Sequence, residues 1–153
     1  MMPLSSLART AALAALLAVA GCSTGGGALS PGLTARMDQG GAQLNRAEAL
    51  GIINHYRTTV GVGALVEDPA LTAQAASLAT HYARTGRQSP KPDGTVEVRY
   101  SAGYATFAET FSGWRNSGQS SVVMSGADVS RAGIAVVYEE NSPYGVYWVV
   151  VVG

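Results

Sequence analysis

Side chains able to hold a proton, a metal or an acyl group are scarce in this chain. There is one cysteine, Cys22, and there are two histidines, His55 and His81. Two histidines binding a metal from one helix need i, i+3 or i+4 placement, and His55 and His81 lie in separate segments. Ser117 and Ser120 supply hydroxyls. A serine nucleophile needs an adjacent base and an oxyanion hole, and neither stands at a recognisable spacing from them.

Cys22 has the most specific surroundings. A short segment carrying Arg9 precedes an uncharged Ala/Leu/Val run from Thr10 to Ala20, which ends at Gly21-Cys22. That is the layout of a secretory signal, and the run is too short to span a membrane, which takes about 20 residues. Val19-Ala20-Gly21-Cys22 resembles a bacterial lipobox, in which small residues fit the signal peptidase and the cysteine sulfur receives a diacylglycerol. Residues 1–21 are therefore expected to be removed and Cys22 to become a lipid anchor. The alternative is an ordinary signal cut near Ala20 with an incidental cysteine. Used as the anchor, Cys22 leaves no thiol for a structural disulfide or for redox chemistry. Two or three acyl chains, at about 0.8 kcal/mol per buried methylene, make a durable attachment. Ser23 stands where a retention signal would place Asp, and similarity to other lipoproteins then points to the outer membrane of a diderm envelope.

The chain has ten basic and ten acidic side chains, and loss of Arg9 with the signal leaves nine basic ones. No basic stripe exists to hold nucleic acid. From Ser23 to about Gly41 the composition turns to Gly, Ser, Thr, Ala and Gln. Such a stretch buries too little apolar surface to offset chain entropy, so residues 22–42 are expected to be a flexible tether. Residues 43–153 are the size of one domain with one core.

Within that domain, Asn45 is placed as an N-cap with Glu48 three residues on, predicting a helix over about residues 45–58. Gly61-Val62-Gly63 breaks it. Asp68-Pro69 then opens a second helix, along which Leu71, Ala75, Leu78 and Tyr82 form one apolar stripe that ends near Gly86. Pro90, Pro92 and Asp93-Gly94 mark turns. The segments 132–138 and 146–152 are β-branched and apolar, and the residues Glu139 to Pro143 between them suit a hairpin loop. Val149 to Val152 is apolar on both strand faces, which predicts a central strand covered on both sides.

The order of these pieces resembles the CAP superfamily of cysteine-rich secretory, antigen 5 and pathogenesis-related proteins, in its short bacterial form. The resemblance is carried by Asn54-x-x-Arg57 with Gly63 and Leu65, by Pro69-Ala70-Leu71-Thr72-x-x-Ala75, and by Ala83-Arg84-Thr85-Gly86-x-x-Ser89. Asp93-Gly94, Ala102-Gly103-Tyr104, Ala108-Glu109-Thr110, Trp114-x-x-Ser117, Ala132-Gly133-Ile134-Ala135 and Tyr147-Trp148 follow in order. The resemblance implies an α+β fold, an α-β-α sandwich with a small antiparallel sheet covered by helices. It also implies a groove in which two histidines and acidic residues hold a divalent metal in many members.

This chain departs from that pattern at the groove. Pro90 stands where the family places its first groove histidine, and Ser120 stands where the Trp-x-x-Ser-x-x-His motif ends. A zinc site needs three or four converging N, O or S ligands, and Glu109 alone cannot supply them. No metal or other cofactor is expected. The groove residues implied are Glu109, Ser117 and Ser120, with His81 added because its helix-wheel position at the edge of the stripe would let it point in beside Glu109. For Glu109 two readings stand: a groove carboxylate that binds ligand or acts as general base, or one that accepts backbone hydrogen bonds and fixes a loop. The tryptophans 114 and 148 and the tyrosines 104 and 147 read as core or groove wall, and Asn54 and Arg57 as ties from the first helix to neighbouring loops.

The function expected is that of an envelope-anchored, non-catalytic module that binds an envelope ligand or protein. One alternative is a hydrolase on peptide or cell-wall material that uses Glu109. The other is a carrier of an apolar molecule such as a lipid.

Overall fold

Asn45 does begin a helix: its side chain accepts a hydrogen bond from the Glu48 amide, and helix runs from Arg46 to Thr59. The structure is a computed structural model that describes residues 27–118 and 124–153. The segment expected to be a signal, residues 1–21, and Cys22 and Ser120 lie outside the described residues. The element order is α1 (Pro31–Thr34), α2 (Arg46–Thr59), β1 (Val66–Glu67), α3 (Pro69–Thr85), β2 (Glu97–Ala102), α4 (Phe107–Asn116), β3 (Arg131–Tyr138) and β4 (Val146–Val152). α3 is bounded as its sequence predicts. Asp68 accepts from the amides of Ala70 and Leu71, Pro69 takes the first turn, and Gly86 closes the helix in the left-handed region at φ 68°. That conformation costs glycine little.

The sheet order is β1-β3-β4-β2. β4 lies antiparallel to both neighbours, with Val152 opposite Ala132 on β3 and opposite Glu97 on β2. β1 adds a short parallel edge to β3, so the sheet is mixed at one margin and antiparallel elsewhere. All seven residues of β4 are buried, as the unbroken valine run requires of a central strand.

Alternation along β4 divides the core in two. Val149 and Val151 face α3 and pack with Leu71, Ala75 and Ala79. Trp148, Val150 and Val152 point the other way, onto Ala49 and Ile53 of α2 and Phe107, Phe111 and Trp114 of α4. The result is the α-β-α sandwich. α3 lies so close to β3 that a Cβ at Gly133 would sit 2.1 Å from backbone atoms of Leu71 and Thr72. Only glycine allows that approach.

Arg57 and Asn54 tie α2 to its surroundings. The Arg57 side chain is fully buried. Its guanidinium donates to the carbonyls of Gly63 at 2.6 Å, Met124 at 2.9 Å, Gly126 at 3.0 Å and Val129 at 3.3 Å. Burial lowers its pKa, and an arginine still stays charged. Asn54 makes a two-way bond with the Leu65 backbone, donating to the carbonyl at 2.9 Å and accepting from the amide at 2.8 Å.

Of the tether expected over residues 22–42, the part from Ser30 to Met37 packs onto the domain. Pro31–Thr34 forms a single turn of helix, and Leu33 and Met37 are buried in the α2/α4 side of the core. The Met37 amide donates to the Ala105 carbonyl at 2.7 Å, and the Ser30 hydroxyl to Glu48 at 2.6 Å. Two apolar side chains in a polar stretch suffice to fix it, because each fills a site on an already formed core. The segment is a strap that runs from the start of α2 to the start of α4.

Candidate functional site

α4 begins at Thr106 with a reciprocal cap. The Thr106 hydroxyl accepts from the Glu109 amide at 3.3 Å, and Glu109 Oε2 accepts from the Thr106 amide and hydroxyl at 2.9 Å each. This is the capping box that a Thr-x-x-Glu spacing encodes. One carboxylate oxygen of Glu109 is thereby engaged by a backbone amide and a hydroxyl.

The corner before α4 is held by the tryptophans. Trp148 Nε1 donates to the Tyr104 carbonyl at 2.9 Å, and Trp114 Nε1 donates to the Tyr100 carbonyl at 3.3 Å. Both rings are buried. Their bonds fix the turn from β2 into α4 and so set the position of Tyr104, which is 41% exposed. Its ring lies over Gly113, where a Cβ would come within 3.1 Å of it.

A hollow of about 700 Å³ opens along this face, lined by Tyr104, Ala108, Glu109, Ser112, Gly113, Asn116 and Ser117. Ala108, Ser112 and Asn116 stand four residues apart, one stripe of α4. Glu109 and Ser117 are thus brought to the same hollow. Ser117 ends α4, its amide donating to the carbonyls of Gly113 and Trp114. Tyr104 is groove wall. Ser112, Gly113 and Asn116 were not anticipated, although the spacing 108/112/116 would have shown them once residues 107–116 were read as a helix.

His81 is not part of this hollow. It is exposed on α3, beside Ser77, Thr80, Arg84 and Thr85. α3 covers one face of the sheet and α4 the other, so the sheet separates His81 from Glu109. The buried stripe of α3 is Leu71, Ala75, Ala79 and Ala83, and His81 lies outside it. Which side of the sheet α3 takes is a tertiary fact that the wheel does not contain. His55 is exposed on α2, at a small groove shared with Phe111 and Arg115.

The charges around Glu109 come from the strap. Arg36 pairs with Asp38. Its pKa is raised mainly by that hydrogen bond and charge, and in small part by the Glu109 carboxylate. Asp38 is correspondingly held below the usual carboxylate value by Arg36. Among the described residues, no three His, Cys, Asp or Glu side chains come together as metal ligands. Pro90 offers no donor atom, His81 is across the sheet, and Glu109 is engaged by its cap, so the described residues do not fit the divalent metal of the wider family.

The comparisons with known proteins agree with this architecture. The family model described as CAP, cysteine-rich secretory protein family, matches residues 50–152. No curated protein matches the chain. Among solved structures, it is similar to an outer surface protein of Borrelia burgdorferi, at 15% identity and a TM-score of 0.57 over 73% of this chain and 96% of that one. It is similar to MpPR-1i at 17% identity and a TM-score of 0.58, over 70% of this chain and 88% of that one. Hookworm platelet inhibitor follows at 18% identity and a TM-score of 0.50, over 71% of this chain and 68% of that one. At such identities the structures show a shared fold. With the family model covering residues 50–152, two thirds of the sequence, the chain belongs to the cysteine-rich secretory protein (CAP) family.

Proposed function

We propose that the protein is an envelope-anchored CAP-domain lipoprotein that acts as a non-catalytic binding module through the hollow along α4. The carrying observation is the state of Glu109: its carboxylate closes the α4 capping box, and His81, the partner base that the hydrolase reading gives it, lies across the sheet. A general acid or base must be free to exchange a proton within hydrogen-bond reach of substrate. Beside Glu109, the hollow presents an aromatic ring, small residues and neutral polar groups, a surface suited to recognition.

Anchoring at Cys22 and removal of residues 1–21 are part of the same proposal. Their support is the Val19-Ala20-Gly21-Cys22 sequence and the likeness to an outer surface protein. Among the described residues no helix is long and apolar enough to cross a membrane.

Two measurements test the reading. Cells expressing the full chain are fed a clickable palmitate analogue: acyl label on the wild type and its loss in Cys22→Ala, with release of the protein from membranes, is the expected result. The purified chain is then incubated with peptidoglycan and with a mixed peptide library. Release of fragments that stops in Glu109→Gln would replace this reading with the hydrolase.

A further inference from the structure

The strap fixes more than the core, because it decides how far the domain can move from a lipid on Cys22. Ordered contacts begin at Ser30, whose hydroxyl binds Glu48 in the first turn of α2. Gly32 packs against the same carboxylate and Asn45. Leu33 and Met37 are buried, and the Met37 amide is bonded at the start of α4. Six residues, 23–28, therefore separate Cys22 from Leu29, and the seven steps between them span at most about 25 Å when fully extended. A globular domain of this length is roughly 35 Å across.

The leash is thus shorter than the domain is wide, and it leaves from one end. That end is shared by two helices. Ser30 sits at the N-terminus of α2, and Met37 sits by Ala105 at the N-terminus of α4. Further along, the ring of Tyr56 of α2 meets that of Phe111 of α4, with centroids 6.2 Å apart. Leu29, the last residue before the strap takes hold, is half exposed and apolar.

Resting on the lipid anchor proposed above, we infer that the domain stands on the bilayer with the N-terminal ends of α2 and α4 toward the lipid, and the C-terminal end of α2 away from it. The Tyr104–Glu109 end of the hollow then lies on the membrane side. The 21-residue tether suggested by composition would have left the domain free to turn over; the short one forbids it.

The experiment uses the lipidated full chain in phospholipid vesicles carrying a headgroup-labelled energy acceptor. Cys22 is blocked by its lipid, so a fluorophore goes to a single new cysteine, Ala47→Cys or Thr58→Cys. Both positions are exposed on α2, and they stand about 16 Å apart along the helix. The expected result is stronger transfer from position 47, with a fitted height above the lipid lower by on the order of 10 Å. The difference should vanish when a Gly/Ser insert of about ten residues separates Gly27 from Ala28. Equal or reversed transfer from vesicle-bound protein would overturn the orientation and leave the anchor standing. Protein that carries no acyl mass and fails to float with vesicles would overturn the anchor, and the orientation with it.

Discussion

Arg57 shows how much one side chain can hold. No carboxylate is among the bonds described for its guanidinium, which spends its donors on four carbonyls from two separate turns. Its truncation leaves those carbonyls unsatisfied in a dry site, and each such loss is costly. Arg57→Ala should lower unfolding free energy by about 3 kcal/mol or more, read from urea melts. Arg57→Lys should recover only part of it, because a point charge lacks the planar fork. Asp68 offers a pH signature. Its carboxyl is held below the ordinary value of 3.8 first by the Leu71 amide, then by the Ala70 amide and Arg131. A depressed carboxyl contributes stability above its unfolded pKa and loses it as pH falls through the folded one. The stability gap between wild type and Asp68→Asn should accordingly hold at neutral pH and close as the medium is acidified below about pH 4. At this scale the sequence was informative where a residue acts locally. The cap at Asp68 and the backbone-bound reading of Glu109 were legible because each depends on residues within three positions, whereas Asn54 and Arg57 were recognisable only from the family motif, since the Arg57 acceptors Met124, Gly126 and Val129 lie far along the chain. The side of the sheet on which His81 falls was not legible.

The elements that read clearly were those with both ends marked. α3 carries an Asp-Pro start and a glycine stop around one apolar stripe, and β3 and β4 are valine-rich with a turn between. β2 is different: Glu97-Val98-Arg99-Tyr100-Ser101-Ala102 is half buried throughout and has no clean alternation, so its strand character comes from pairing with β4. α4 went unread as a helix because the cap residues and the groove residues are the same ones. Packing between elements is tightest where α3 crosses β3. Gly133→Ala would drive a methyl group into the backbone of Leu71 and Thr72. Since helix backbone cannot move aside as a flexible side chain does, the variant should lose about 2–3 kcal/mol. A second change on the α3 face, Ala75→Gly, adds room elsewhere and should not restore it; thermal melts of the single and double variants check this.

For the molecule as a whole, the strap moves the domain boundary from residue 43 back to about residue 29. A chain trimmed to begin at Gln43 loses Leu33 and Met37 from the core. At about 1.5–3 kcal/mol for each fully buried side chain, it should be less stable by roughly 3–6 kcal/mol than a chain beginning at Gly27. Paired denaturant melts of the two decide the point. Composition misplaced this boundary because it averages over a window, and two residues in a polar stretch do not move the average. The fold class was legible because the signal for it, a strand apolar on both sides between helical segments, is long. β4 has a further consequence, in cooperativity. The cluster under α3 and the cluster under α2 and α4 share that strand as a common wall, Val149 and Val151 serving one and Trp148, Val150 and Val152 the other. Neither layer can melt and leave its neighbour intact, because losing β4 opens both at once. Calorimetric and van't Hoff enthalpies should therefore agree, and the slowest-exchanging amides on both sides of the sheet should share a single opening free energy.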